Sequence, residues 1–317
     1  MDMDLVAQFE SEFNVRVVYE EVPSNEEMEV KIKSATTKYD IAIPSDYMID
    51  KLRQQDLLNQ IDFDRLTSLD DQSLKTEVTS LYDGKGYEPY FVPYFWGTIG
   101  IMYNTDNVTE EELTGWNVLF DPETSYKIGM YDSARDAVAA ALLNLEYDVN
   151  TNVTSELDEA KTVLENSVFE IFGDDNLKGL VASGNLDMAL VYSGDYFDQL
   201  YITEEDGLEI NFAYFVPQTT NIWVDGFVIP KTSENVDLAH EFINFFLTEE
   251  VAATNSDWVG YAPVISEVYD LLVSDEYGYD YDNYNPYPSG TERVIFEFVS
   301  NDRFDYLNQI LNAAKPD

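Results

Sequence analysis

The pair of residues with the clearest chemistry in this sequence is Trp223 and Asp225, which a single valine separates at the end of an extended run. In a β-strand, residues two apart point to the same side, so the indole and the carboxylate are expected to face one small volume. An aromatic face attracts methylene groups and cations, and a carboxylate accepts hydrogen bonds from N–H donors. The pair suits a ligand that is both cationic and apolar. A half-buried strand with a solvated acid fits the same pattern.

The charge of the chain limits its partners. The sequence carries 62 Asp and Glu against 17 Lys and Arg, which gives a net charge of −45. A nucleic-acid backbone needs a basic surface, so nucleic acid is disfavoured as a partner. Most of the acids are expected to form generic solvated surface, whereas acids at a cleft would attract a cationic ligand. With 317 residues, of which 45% are apolar, the chain is expected to form two domains or one large α/β unit.

The sequence offers little for catalysis. It has no cysteine, and its single histidine, His240, lies in an amphipathic helical pattern that predicts a position on the helix surface. It has no hydrolase nucleophile elbow, phosphate-binding loop, dinucleotide-binding glycine motif or His-Glu-x-x-His motif. Carboxylate-pair chemistry, as in glycosidases, is the enzymatic alternative that remains. We therefore expect a protein that is not an enzyme and needs no cofactor.

The elements that must position these residues alternate between helical and extended patterns, and this alternation predicts an α/β fold with mostly parallel sheets flanked by helices. Helices are predicted over residues 4–13, from 24, from 45 or 46 to 52, and over 133–145, 155–171, 174–182, 236–248, 248–258 and 302–314. Strands are predicted over 15–22, 39–44, 127–131, 187–192 and 209–216. Two further extended runs, 87–104 and 223–229, are interpreted as crossings between two lobes. Lobe 1 is then 1–98 plus 224–298, and lobe 2 is 99–223 plus 299–317.

Six segments carry a resemblance to a known family. They are Asp-Ile-Ala-Ile-Pro-Ser-Asp-Tyr at 40–47, Pro-Tyr-Phe-Trp-Gly-Thr-Ile-Gly-Ile-Met-Tyr-Asn at 93–104, Asp-Ser-Ala-Arg-Asp at 132–136, Tyr-Ser-Gly-Asp at 192–195, Trp-Val-Asp-Gly at 223–226 and Gly-Tyr-Ala-Pro at 260–263. In this order and spacing they resemble the polyamine-binding proteins of ABC importers, of the spermidine/putrescine type. The similarity spans essentially the whole chain.

The resemblance implies a type II periplasmic-binding-protein fold, in which two hinged lobes close on the ligand, and a monomeric protein that delivers its polyamine to the permease subunits of an ABC transporter. It implies an extracytoplasmic location, periplasmic or as a cell-surface lipoprotein, although no signal sequence is evident in this sequence. The ligand-binding residues that it implies are Ser45, Tyr47, Ser133, Asp136, Tyr192, Trp223, Asp225 and Tyr261.

Two departures from the family stand out. Relatives begin with a strand that carries a Trp and a hydroxyl residue of the binding site, and this strand is missing ahead of residue 4, so we expect unpaired backbone edges in lobe 1. Ser133 replaces an acid of some spermidine binders, which favours putrescine or a differently bound polyamine. A receptor of the same fold for a sugar, ferric ion or amino acid remains an alternative. The acidic run at 280–285 resembles a calcium loop only weakly, because it lacks the required Gly and Glu.

Overall fold

The computed structural model describes residues 1–317 except 23, 70–73, 276, 278, 280–289 and 316–317. The helices in the described residues are α1 (Met3–Phe13), α2 (Asn25–Ser34), α3 (Asp46–Gln54), α4 (Thr76–Thr79), α5 (Ala134–Asn144), α6 (Thr154–Asn166), α7 (Asn176–Ala182), α8 (Ser193–Glu205), α9 (Val236–Phe246), α10 (Glu249–Val259), α11 (Ser266–Leu272) and α12 (Asn301–Ala314). The strands are β1 (Val92–Asn104), β2 (Ile128–Tyr131), β3 (Ile171–Gly173), β4 (Met188–Tyr192), β5 (Phe212–Phe215), β6 (Thr219–Phe227), β7 (Ala262–Pro263) and β8 (Glu292–Ile295). The calcium-loop resemblance at 280–285 lies outside the described residues.

The contacts of the chain divide it into two compact units. The first comprises Met1–Trp96 and Trp223–Asn285, and the second comprises Gly97–Ile222 and Pro286–Asp317. The sequence-based division places residues up to 298 in lobe 1, whereas the described residues 290–298 group with the second unit. Pairing explains the difference, because β8 runs parallel to Thr219, Thr220 and the next two residues of β6, which also belong to the second unit.

Aromatic side chains fill the core of the first unit. Phe9 of α1 packs against Phe242 and Phe245 of α9, with ring centroids 4.9 and 5.5 Å apart. The ring of Phe227, at the end of β6, lies 4.2 Å from that of Tyr94 in β1. Each of these side chains is buried. For Phe9, Phe242 and Phe245 the reason is the 3.6-residue spacing of the apolar residues in α1 and α9, which turns them to one face of each helix. This core holds the end of β6, and with it Trp223 and Asp225, against helices.

Two predicted strands of the first unit are not formed as regular strands. In residues 15–22 and 39–44 the structure has no strand, and Ala42 makes only an isolated bridge with Val228. Within the described residues, no backbone N–H of residues 18–22 donates a hydrogen bond. A segment becomes a strand only when a neighbour supplies a continuous ladder, and within the described residues the segment 39–44 makes only isolated backbone hydrogen bonds to 226 and 228. A cavity of about 630 Å³ is lined by both segments and by apolar side chains of α1 and α9.

The second unit contains a mixed sheet. Its strands β3, β2 and β4 are parallel, whereas β1 runs antiparallel to β4 through residues 99–103 and antiparallel to β5 through 101–104. Helices α5 and α6 pack against α12 in the same unit. The predicted α/β class with flanking helices is confirmed, but the sheet is less parallel than expected, because the long strand β1 is antiparallel to β4, β5 and β7.

Two local predictions are wrong. The helix predicted over 155–171 ends at Asn166, and its last predicted residue, Ile171, is the first residue of β3, which pairs with β2. His240 is predicted on a helix surface but is only 2% exposed. Its ring is held in the core by two hydrogen bonds, since Nε2 accepts from the Asp62 N–H at 2.9 Å and Nδ1 lies 2.7 Å from the Val236 carbonyl. A buried polar ring is stable only when its nitrogens are paired in this way.

Candidate functional site

In the first unit, β6 carries Trp223 and Asp225 in a backbone that is tightly constrained. A Cβ on Gly226 would lie 2.4 Å from a ring atom of Phe91 and 2.9 Å from the Val92 carbonyl oxygen. Only glycine allows so close an approach, so the chain from 223 to 226 has little freedom to shift. Trp223 is buried, and its ring meets that of Tyr261 edge-on, with centroids 5.0 Å apart at 62°.

The start of α3 lies beside Asp225. Ser45 and Asp225 form an isolated antiparallel bridge, and the Gly226 N–H donates to the Pro44 carbonyl at 3.1 Å. Of the two residues predicted to begin α3, Ser45 is the N-cap, but its hydroxyl makes no capping bond. It accepts instead from the Asn25 side-chain amide at 3.2 Å, and the Ser45 N–H donates to the same amide's oxygen at 3.1 Å. This contact orients the Ser45 hydroxyl, and the sequence analysis missed it.

Tyr47 lies one residue inside α3 and is 9% exposed. Its hydroxyl donates to Glu26 at 2.8 Å, so α2 and α3 are tied together through this side chain. A second tyrosine, Tyr82, is fully buried, and burial first, then the negative charges of Asp46 and Asp225, raise its pKa well above 10. The negative charges of Asp46 and Asp225 therefore both reach the buried region around Tyr82. A field of this sign stabilises a cation.

The second unit brings together Ser133, Asp136 and Tyr192. Ser133 caps α5, its hydroxyl accepting the Asp136 N–H at 3.4 Å, and Asp136 lies in the first turn of that helix. The Tyr192 hydroxyl, at the end of β4, donates to Asp136 Oδ2 at 2.7 Å. Burial and the neighbouring Asp136 carboxylate raise the pKa of Tyr192 well above 10, so it stays a donor. The three residues form one hydrogen-bonded group.

Arg135 completes this group. Its Nε lies 3.2 Å from Asp136 Oδ1, and its Nη2 lies 3.1 Å from Oδ2 and 3.2 Å from the Tyr192 hydroxyl. The guanidinium also lies over the ring of Phe296, 4.9 Å from its centroid. We use the name Arg135 cluster for Arg135, Asp136, Tyr192 and Phe296. The sequence places Arg135 next to Asp136 but gives no sign of Phe296, which is 161 positions after Arg135 along the chain.

Comparison with known proteins identifies the family. The family described as bacterial extracellular solute-binding protein matches residues 4–282. The chain belongs to this family. The spermidine/putrescine-binding periplasmic protein of Salmonella typhimurium is 30% identical over 264 residues, which cover 81% of this chain and 72% of that protein. The putrescine-binding periplasmic protein SpuD of Pseudomonas aeruginosa is 28% identical over 284 residues, covering 83% and 77%.

A solved structure supports the same assignment. The spermidine/putrescine ABC transporter substrate-binding protein PotD from Streptococcus pneumoniae is 31% identical, with a TM-score of 0.81, and the match covers 99% of this chain and 96% of that one. This likeness confirms the solute-binding-protein fold that the sequence predicts. In this solute-binding protein, five of the predicted ligand-binding residues belong to the first unit and three to the second. The first set is Ser45, Tyr47, Trp223, Asp225 and Tyr261, and the second is Ser133, Asp136 and Tyr192.

Two kinds of feature, a membrane-spanning helix and a metal-binding group, are absent from the described residues of this solute-binding protein. None of the described helices has both the length and the apolar character that a membrane crossing requires. Among the same residues, no three His, Asp or Glu side chains are grouped in a way that could hold a metal ion. The predicted ligand-binding positions carry aromatic rings, hydroxyl groups and carboxylates.

Proposed function

We propose that this protein is the substrate-binding component of an ABC importer and that it captures a polyamine, putrescine or spermidine, and delivers it to the membrane permease. The observation that carries the proposal is the contact between the rings of Trp223 and Tyr261, with centroids 5.0 Å apart, because Trp223 lies on β6, the strand that also presents Asp225. The printed names of its relatives, a spermidine/putrescine-binding protein and a putrescine-binding protein, support the same ligand class.

The chemistry of a polyamine explains why these side chains suit it. A polyamine is a chain of methylene groups that carries two to four ammonium groups. Aromatic walls cover the methylenes and attract the cations by roughly 0.5–2 kcal/mol per ring. Each desolvated ammonium needs a carboxylate, because an unpaired buried charge costs several kcal/mol. Rings and acids of this kind are present in the first unit, where Asp225 is half-buried beside the start of α3.

The remaining features of the proposal follow from this role. The protein acts outside the cytoplasm, in the periplasm or as a cell-surface lipoprotein, and it works as a monomer that contacts the permease subunits. It binds its ligand without chemical conversion and without a cofactor. Its net charge of −45 favours the approach of a cation over that of an anion.

The first prediction tests the ligand class. In titration calorimetry we expect putrescine or spermidine to bind, and 1,4-butanediol, which has the same carbon chain but no charge, to give no binding heat. Asp225→Asn should weaken polyamine binding tenfold or more, about 1.4 kcal/mol, because it removes the carboxylate that pairs with an ammonium. The matched control is Asp64→Asn, which removes an exposed acid of the same unit and should leave the affinity unchanged.

Four results would count against this proposal. Absence of binding heat with putrescine, spermidine and spermine would exclude a polyamine. Equal affinity for the diol would show that charge plays no part in recognition. Binding of a sugar, ferric ion or amino acid in place of amines would favour the alternative receptor. Equal weakening by Asp64→Asn would show that the effect of Asp225→Asn comes from net charge and not from contact.

A further inference from the structure

The resemblance to polyamine binders assigns an ammonium-binding role to Asp136, but this carboxylate is already occupied by a cation of the protein itself. The Asp136 side chain is 1% exposed and that of Arg135 is 17% exposed. The guanidinium reaches both oxygens, Oδ1 from Nε at 3.2 Å and Oδ2 from Nη2 at 3.1 Å. The Tyr192 hydroxyl donates to Oδ2 as well. Asp136 therefore presents no exposed oxygen to a ligand in this arrangement.

The Arg135 cluster holds the guanidinium in place from several sides. A bidentate contact between Arg and a carboxylate is among the strongest hydrogen-bonded pairs in proteins. The ring of Phe296, itself 3% exposed, covers the guanidinium face at 4.9 Å. An ammonium group that approaches Asp136 is therefore repelled by the positive charge of the Arg135 guanidinium, which is fixed within a few ångströms of the Asp136 carboxylate.

We propose that Arg135 is an internal competitor for the Asp136 carboxylate, and that it lowers the affinity for cationic ligands. The inference rests on the proposed polyamine function. Binding of an ammonium at Asp136 requires the guanidinium to leave that carboxylate, or the two cations to share it with mutual repulsion. Arg135 thus sets both the affinity for polyamines and the selectivity between ligands of different charge. A ligand that lacks a strong second positive charge gains no binding energy at Asp136.

Removing the charge should strengthen amine binding. Two unit charges at 4–6 Å near a protein surface repel each other strongly enough to change an equilibrium about tenfold. We therefore expect Arg135→Gln to raise the affinity for putrescine about tenfold, and that for spermidine at least as much. Asp136 keeps its hydrogen bond from Tyr192 and its position at the start of α5, both of which stabilise its negative charge.

The test is titration calorimetry on the full chain with putrescine and spermidine, at one salt concentration, for the wild type, Arg135→Gln and four further variants. Arg135→Lys keeps the charge but loses the bidentate contact, and it should gain less than Arg135→Gln. Arg135→Gln/Asp136→Asn should lose the gain, since the carboxylate is gone. Asp136→Asn alone should weaken binding, because it leaves the guanidinium without its counterion. Lys161→Gln removes a cation of the same unit that pairs with Glu165 on α6, and it controls for net charge.

Weaker binding by a folded Arg135→Gln protein would overturn the inference, since it would mean that Arg135 holds Asp136 in place for the ligand. An equal gain in Lys161→Gln would also overturn it. A crystal structure of the wild-type protein with putrescine tests the same point if a variant fails to fold. An ammonium on Asp136, with Arg135 turned away or sharing the carboxylate, supports the inference, whereas an unchanged Arg135–Asp136 pair with the ammonium bound elsewhere contradicts it. Failure of the proposed function itself is distinguishable, because no variant and no wild type would then bind an amine.

Discussion

At the scale of single residues, Asp195 shows how burial changes an ordinary carboxyl group. It lies in the first turn of α8, is 4% exposed, and accepts the Tyr192 N–H at 3.1 Å. Lys178 lies 3.8 Å away and pairs more closely with the exposed Asp198, at 2.8 Å. Burial raises the pKa of Asp195 to about 7, and the partial contact with Lys178 offsets this only in part. Asp195 therefore titrates in the neutral range.

The second prediction concerns the effect of this titration on stability. In the unfolded chain Asp195 has a pKa near 3.9, so between about pH 4 and pH 7 the folded state binds more protons than the unfolded state. The protonated Asp195 carboxyl therefore stabilises the folded state at low pH, and this contribution is lost as the pH rises through the folded-state pKa of about 7. The free energy of unfolding of Asp195→Asn relative to wild type should therefore increase by about 2–3 kcal/mol between pH 5 and pH 8.

Urea unfolding curves of both proteins at several pH values measure this difference. Asp198→Asn, which removes the exposed partner of the same lysine, controls for the loss of a charge beside Lys178. A difference between Asp195→Asn and wild type that is constant from pH 5 to pH 8 would show that burial does not raise the pKa of Asp195.

At the scale of elements, the helices follow their sequence patterns and the strands follow their neighbours. The periodic apolar residues of α1, α9 and α12 predict helices whose observed ends differ by one or two residues from those expected. The apolar runs at 15–22 and 39–44 have the composition of strands but form none. Helical hydrogen bonds are local, whereas a strand depends on a partner that is remote in sequence.

The third prediction follows from the unpaired segments of the first unit. Because the N–H groups of residues 18–22 and 39–41 donate no hydrogen bond within the described residues, their amides should exchange rapidly with deuterium in native conditions. Residues 99–103, which pair with β4, should exchange slowly and serve as the internal reference. Mass spectrometry of peptic peptides measures both. Protection of 18–22 as strong as that of 99–103 would mean that a partner strand covers this edge in solution.

At the scale of the whole molecule, the dominant property is charge. A chain with 62 acids and 17 bases repels itself in any compact state, and most of its few cations are paired, as Lys31 is with Glu20 and Lys51 with Glu29. Self-repulsion of this size opposes folding and keeps the molecules apart. It also attracts cations from solution, which agrees with the ligand class that we propose.

The fourth prediction is that salt stabilises this protein. The Debye length falls from about 30 Å at 0.01 M to about 3 Å at 1 M ionic strength, so added salt screens the repulsion between surface carboxylates. The melting temperature should rise steadily with NaCl across this range. Scanning calorimetry measures it, and KCl at equal ionic strength should give the same curve. A melting temperature that falls with NaCl, or a rise with one salt only, would contradict a screening mechanism.

The sequence by itself determined the α/β class, the helices, the charge and the family, because each of these depends on local composition, periodicity or motifs. It also placed Trp223 and Asp225 on one strand, and Asp136 in the first turn of a helix. Only the tertiary structure decided what each side chain contacts. It paired Asp136 with Arg135, buried His240, ended a predicted helix early so that residue 171 begins a strand, and left the backbone N–H groups of 18–22 without an acceptor among the described residues. These outcomes depend on residues that are remote along the chain, such as Phe296 beside Arg135, and no local pattern encodes such contacts.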